Sequence, residues 1–362
     1  AEAGDIPHHE LDVPLAADSR VIDVVRLLLA LPRSGFTRRD LLRILTHPTV
    51  RARHGIGEAE AWLAWCDRLG IDPGVSAADN AEIYIEADLF HWDQGLRRLA
   101  LGAFMAGEAA GRPDPIALAG APILPTDFAA HELPSAGRLV ALVRSLVADA
   151  RALGAAELPL ADWSSWLYEL VRSYIGPVTE DDERDLYRVL AAVEDLARVG
   201  AGDAPARFRT AARLLEDRLD ALTTHRGQPL AEGVVIAPLG AVARLPFEVC
   251  FIPGLGEGQF PAPHRPSTLD LRRGARRPGD VTPRMRDEEA FLMRLLTTRD
   301  AARLSYVGRD PQTGDALAPA STLAELIGLL ERGYVGRESA LVTALPLRRL
   351  EAPGPSVAAR AE

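Results

Sequence analysis

Seven arginines fall between positions 265 and 286: Arg265, Arg272, Arg273, Arg276, Arg277, Arg284 and Arg286. Only Asp270 and Asp280 oppose them, a local balance of +5 inside a chain whose formal net charge is −10. Glycines and prolines interrupt the run, so it is not a helical stripe. Guanidinium groups on such a loop suit bidentate phosphate contacts, which need only charge and reach. DNA or another phosphate-bearing partner is one reading of these residues. The other is an arginine-rich structural loop paired with the protein's own carboxylates.

Other chemistries are excluded more firmly. All 41 basic residues are arginine, and Asn80 is the only asparagine, a bias that fits a GC-rich coding sequence. Without lysine there is no Walker A loop, no Schiff-base chemistry and no lysine general base. The histidines (His8, His9, His47, His54, His91, His131, His225, His264) form no H-E-x-x-H helix, and with Cys66 and Cys250 they make no zinc spacing. No G-x-S-x-G elbow is present. The acidic run Glu180–Glu183 reads as a helix start rather than a metal cluster. No metal or other cofactor is expected.

The elements that must position these residues can be read from periodicity. The 362 residues suit two domains of about 150 residues each. A strand is expected around His8–Val13. From Ser19 the pattern turns helical, with Val21, Val25, Leu28 and Leu29 on one face. Thr37 and Asp40 mark a capped helix that Pro48 ends. Further helices are expected at Glu58–Leu69, Trp92–Ala106, Ala136–Leu153, Ala161–Tyr174, Glu180–Leu196 behind Thr179, and from Phe208 to Leu222. Gly107 to Pro134 reads as a long loop. Val234–Ala237 and Val249–Ile252 have the β-branched texture of buried strands. Thr282 and Pro283 begin a helix running to about Arg299. A strand at Arg303–Val307, a helix at Ser321–Leu330 and a loose tail follow.

Longer patterns within these elements resemble a known family. Val234 to Pro261 is similar to the second motor domain of UvrD-like superfamily 1 helicases: strand, H-S-x-K-G-L-E-F loop, strand, then G-x-x-E-G-x-F-P. The last part is intact as Gly254-Leu-Gly-Glu-Gly-Gln-Phe-Pro261, whereas the loop is degraded. Gly240 stands for the histidine, Ala243 for the lysine, Arg244 for the glycine and Pro246 for the glutamate. The Leu245-Pro246-Phe247 substitution resembles the RecC family, the gamma subunits of exonuclease V. So do Arg277-Pro-Gly-Asp280 with Arg286-Asp-Glu-Glu289 and Phe291-Leu292, then Leu304-Ser-Tyr-Val-Gly-Arg-Asp310. Phe90-His-Trp-Asp-Gln-Gly-Leu-Arg-Arg-Leu-Ala-Leu-Gly-Ala-Phe-Met105 is similar to a further element of that family. AddB-type subunits are near relatives.

The resemblance implies an α/β fold: a RecA-like 2A domain with a parallel sheet (1–18 and 230–335), a large all-α 2B-type insertion (19–229) and a loose tail (336–362). Pattern reading alone also suggested a helical block inserted into an α/β part. The resemblance further implies a piece of a longer subunit, without its first motor-like half and C-terminal nuclease-like domain. The implied function is a non-catalytic module that helps form the DNA channel of an ATP-dependent helicase–nuclease complex in double-strand break repair. RecB-like and RecD-like subunits would be its partners, in the cytoplasm and away from membranes. Arg299 falls where active relatives of the helicases place an arginine on the γ-phosphate; its plainer reading is an arginine ending a helix. Two alternatives stay open. One is half of an active ATPase that needs a P-loop domain from elsewhere; the other is a protein-interaction scaffold without DNA contact.

Overall fold

A computed structural model describes residues 7–57, 59–72, 74–80, 89–105, 115–118, 121–126, 129–199, 203–226, 233–263, 277–335 and 341–345. The chain divides into two compact units, Val13–Thr224 and, from both ends, Ala1–Asp12 with His225–Glu362. Strand β1 (His8–Pro14) leads from the second of these into the first.

The Val13–Thr224 unit is helical, and its helices begin where local chemistry says they should. Ser19 accepts a hydrogen bond from Ile22 N and opens α1 (Arg20–Ala30). Thr37 and Asp40 form a reciprocal capping box at α2 (Arg38–Leu45). Pro48 does not merely stop this run: it occupies the first turn of a further helix, α3 (Pro48–His54), where a missing N–H costs nothing. His47 caps that helix, its Nδ1 accepting from Thr49 N. Then come α4 (Glu60–Leu69) and α5 (Trp92–Met105). The expected long loop contains an antiparallel hairpin, β2 (Ile116–Leu118) and β3 (Ala121–Ile123). After it run α6 (Leu133–Ala155), strand β4 (Glu157–Leu158) and α7 (Leu160–Tyr174).

Thr179 and Asp182 form a second capping box at α8 (Glu180–Glu194). Strand β5 (Ala206–Arg207) pairs with β4, α9 (Phe208–Asp220) follows, and β6 (Thr223–Arg226) leads out. The α6 stripe of Leu139, Leu142, Val143, Leu146 and Leu153 is buried in one core with α1, α7 and α9 residues. Trp62, Trp92 and Trp163 are fully buried, and each indole N–H still finds an acceptor: Ser135 Oγ at 2.8 Å, Phe36 O at 2.9 Å and Ala206 O at 2.8 Å. Burial without those acceptors would forfeit hydrogen bonds that water otherwise supplies.

In the other unit β7 (Val234–Ile236) pairs in parallel with β1, matching His8 with Val234 and Glu10 with Ile236. A short helix α10 (Leu239–Val242) leads to β8 (Phe247–Ile252). Helix α11 (Pro283–Thr297), capped by Thr282, runs into β9 (Thr298–Leu304), and α12 (Ser321–Leu330) follows. Strands β8 and β9 are parallel. Ile252, Leu255, Phe291, Ala320 and Leu323 form a small core beneath them.

Three expectations need correction here. Among the described residues the strands do not join one parallel sheet: β6-β1-β7 and β8-β9 are separate. They are not buried on both faces either, since Val234, Ile236, Val249 and Phe251 are exposed, Phe251 to 75%. Ile252 faces the small core, whereas Val249 and Phe251 are exposed. Finally, β9 spans 298–304 rather than 303–307, because α11 stops before Arg299. Among the described residues no helix is long and apolar enough to cross a membrane.

Two predictions concern the helical unit, which holds all five tryptophans, so that their fluorescence reports its unfolding alone. Burial pushes His47 below its ordinary value of 6.5, outweighing the nearby Asp23 carboxylate, and burial with Arg53 and Arg138 does the same to His54. Both are held neutral when folded and take up protons on unfolding. Their stability contribution is therefore complete above pH 6.5 and is lost as pH falls through the lowered folded values. The urea midpoint should drop between pH 7.5 and 5.5, and His47→Asn, which keeps a capping oxygen but cannot protonate, should flatten the drop. The second prediction concerns Gly95, where an added Cβ would sit 2.5 Å from Ile71 Cδ1. Gly95→Ala should destabilise by about 1–3 kcal/mol. Combined with Ile71→Ala, it should cost less than the two single changes added, as urea titration of the four proteins would reveal.

Candidate nucleic-acid interface

Of the seven clustered arginines, Arg265, Arg272, Arg273 and Arg276 lie outside the described residues; Arg277, Arg284 and Arg286 lie within them. Arg277 starts a tight turn. Its backbone N–H donates to Asp280 Oδ2 at 2.8 Å, Asp280 N donates back to Arg277 O at 3.0 Å, and Gly279 takes φ +99° between them. A left-handed φ of this kind favours glycine, so the Arg-Pro-Gly-Asp signature has a local backbone cause. Arg284 points along α11 to Glu288 at 2.8 Å, one turn on, and this pair holds its guanidinium proton more firmly than usual. Arg286 is exposed on the same first turn and makes no ion pair among the described residues. Thus Arg284 and Arg286 lie on the first turn of α11, with Arg284 already engaged, and Arg277 lies in the turn before its cap.

The 240–247 loop lies in the same unit. Gly240 sits in α10 with open space around its missing side chain. Ala243 is buried, Pro246 is exposed, and Arg244 reaches Glu289 of α11 at 2.6 Å. Arg299, on β9 rather than at a helix end, pairs with Glu248 of β8 at 3.1 Å. Both arginines are therefore spoken for by the chain's own carboxylates. Beneath them is a residue that sequence reasoning missed: Arg294 of α11, 1% exposed, donates to Val242 O at 2.9 Å. Its place on the stripe Phe291, Arg294, Leu295 was the available signal, a charge on the inward face of an amphipathic helix.

The other quoted motifs have packing or turn roles. In Gly254–Pro261, Leu255 is buried, its N–H donates to Ser305 O at 3.0 Å, and the Phe260 ring lies 5.5 Å from that of Phe291. Asp310 accepts from Gln312 N and Thr313 N at 2.7 and 3.0 Å, closing a turn, and these bonds hold its carboxyl below the ordinary value. In the helical unit Trp92 and Gly95 of the Phe90–Met105 element are core residues. The acidic turn at Glu180–Glu183 is the start of α8, with Asp182 buried and accepting from Val178 N, Thr179 N and Arg20 Nε. Among the described residues no group of three or more His, Cys, Asp or Glu side chains is placed to hold a metal ion.

The Arg299–Glu248 and Arg244–Glu289 pairs are surface pairs, and their worth should be small. Arg299→Ala and Arg244→Ala should each change stability by about 0–1 kcal/mol, less in high salt. Thermal unfolding of this unit at low and high salt would check it; a loss several times larger would mean these pairs organise the loop.

Comparison with known proteins gives this arrangement a context. The family described as RecBCD enzyme subunit RecC fourth domain matches residues 18–223, more than half of the chain and a span inside the helical unit. The RecBCD enzyme subunit RecC of Escherichia coli is 27% identical over 324 residues, covering 87% of this chain and 28% of that protein. The subunit of the same name from Haemophilus influenzae is 24% identical, covering 91% of this chain and 29% of the relative. That of Mycobacterium tuberculosis is 25% identical, covering 94% and 31%. The chain thus spans under a third of the length of each of these relatives. The matches meet in one conclusion: the chain belongs to the RecC family.

Proposed function

We propose that this chain is a non-catalytic, helicase-like module of a RecC-type subunit, helping to form the DNA channel of a helicase–nuclease complex that acts in double-strand break repair. In this reading the unit built from both ends of the chain is a RecA-like 2A domain, and the helical unit is its 2B-type insertion. RecB-like and RecD-like subunits would be the partners, in the cytoplasm. The observation that carries the non-catalytic part is the state of the 240–247 loop. Ala243 is buried where the helicases keep a lysine, and Arg244 and Arg299 are paired with Glu289 and Glu248. A developing phosphate charge needs donors preorganised towards it, not towards resident carboxylates.

The DNA contact rests on the 265–286 arginines, of which Arg277, in the turn before α11, and Arg286, on its first turn, are exposed. A second reading, docking of a protein neighbour, is favoured by the exposed Val249 and Phe251 on β8. One binding experiment separates them. Forked DNA titrated at several salt concentrations should bind with a log–log salt slope that becomes shallower by about 3 when Arg272, Arg273, Arg276 and Arg277 are all changed to Ala. Unaltered affinity and slope would remove the DNA contact and leave the docking reading. ATP hydrolysis should stay at background; turnover that disappears in Arg299→Ala would instead establish an active half-ATPase.

A further inference from the structure

Arg294 has the burial of a core leucine and the charge of a surface residue. Its side chain is 1% exposed, its Cζ lies 4.9 Å from the centroid of the Phe247 ring, and its Nη1 donates to Val242 O at 2.9 Å. Nε and Nη2 are buried and have no hydrogen-bond partner. Guanidinium stays charged under all ordinary conditions, so burying it without a counter-ion is costly unless something else is gained. The groups it touches show where the gain is made. Val242 is the last residue of α10, and Phe247 the first of β8. The arginine therefore grips both ends of the turn 242–247. One turn further along α11, Thr297 Oγ1 lies 3.1 Å from Ala243 O, a contact it shares with Met293 O at 2.8 Å. Arg244 then reaches back to Glu289 on the same helix.

We propose that Arg294 is a buried latch that clamps the 239–247 segment onto α11, making it a fixed part of the scaffold. The inference does not depend on DNA contact or on the helicase-like reading; it concerns what this segment can do mechanically. A short segment between α10 and β8 would otherwise be free to move, and the latch removes that movement. It also accounts for a guanidinium accepted in the core with two donors unused, because a cation over an aromatic ring joins a carbonyl and a ring that no single apolar side chain could hold together.

The latch predicts that local and global stability separate. An apolar chain of similar length removes the desolvation cost of a buried charge that has no counter-ion, which offsets the lost contacts. In Arg294→Met the full chain should unfold at an unchanged or higher denaturant concentration, while amide hydrogen exchange of residues 240–246 quickens by about tenfold or more relative to α12. Exchange in 240–246 that stays as slow as in the parent, or that rises equally through α12, would overturn the proposal. If Arg294→Met does not fold, Thr297→Val is read in the same way: faster exchange confined to 240–246 supports the latch, and no change there refutes it.

Discussion

A hydrogen bond at one end of the helical unit sets the conditions for everything else. Leu15 N donates to Leu222 O at 2.8 Å, joining the two points between which about two hundred residues are threaded. Bringing the ends of so long a segment together costs on the order of 5 kcal/mol in chain entropy. The cost is offset by the core the segment closes over, where Leu215, Leu219, Leu28 and Leu29 are all buried. With its ends joined, such a unit can occupy the middle of another unit's sequence and leave the flanking strand β1 free to pair with β7.

Within the helical unit, what could be read in advance was what is local. Both capping boxes, Thr37 with Asp40 and Thr179 with Asp182, were legible because partners three residues apart define them. The α6 stripe was legible because burial follows the period of 3.6. What was not legible depended on choices that sequence leaves open. Pro48 suits the end of one helix and the first turn of the next equally well, and only His47 turning its Nδ1 to Thr49 decides. The strands in the other unit were misjudged for a different reason. Valine and isoleucine runs record the preference for strand, but not whether a second layer covers them, so Phe251 could not be known to be exposed.

Charge tells a related story. In a protein whose only basic side chain is arginine, composition makes every basic position look like a phosphate contact. A good share of the described arginines are instead paired with the chain's own carboxylates: Arg26 with Asp220, Arg38 with Asp67, Arg151 with Asp79, Arg207 with Glu157, Arg284 with Glu288. An acidic chain has carboxylates to spare, and a long planar fork finds them. A candidate contact therefore needs more than an arginine: Arg286 is exposed without an ion pair among the described residues, and it is its place beside the 265–277 run that singles it out. Arg294 is the opposite extreme, a cation that has left the surface altogether and turned its charge to holding backbone.

The residues that carry the family likeness and those that could carry chemistry are not the same. Trp92 and Gly95 are invisible to any ligand; Gly95 is needed because Ile71 occupies the space a side chain would take. Asp280 and Asp310 close turns with backbone N–H groups. Such positions tolerate little change for steric and hydrogen-bonding reasons, and a sequence pattern built on them identifies a fold before it identifies an activity. The family model falls on residues 18–223, the helical unit, while the relatives match most of the chain; the clustered arginines and the 240–247 loop belong to the other unit. Membership in the RecC family rests on the family match and the relatives, not on any of these arginines. The reading of this chain as a DNA-handling module stands or falls separately, on the arginines between 265 and 286.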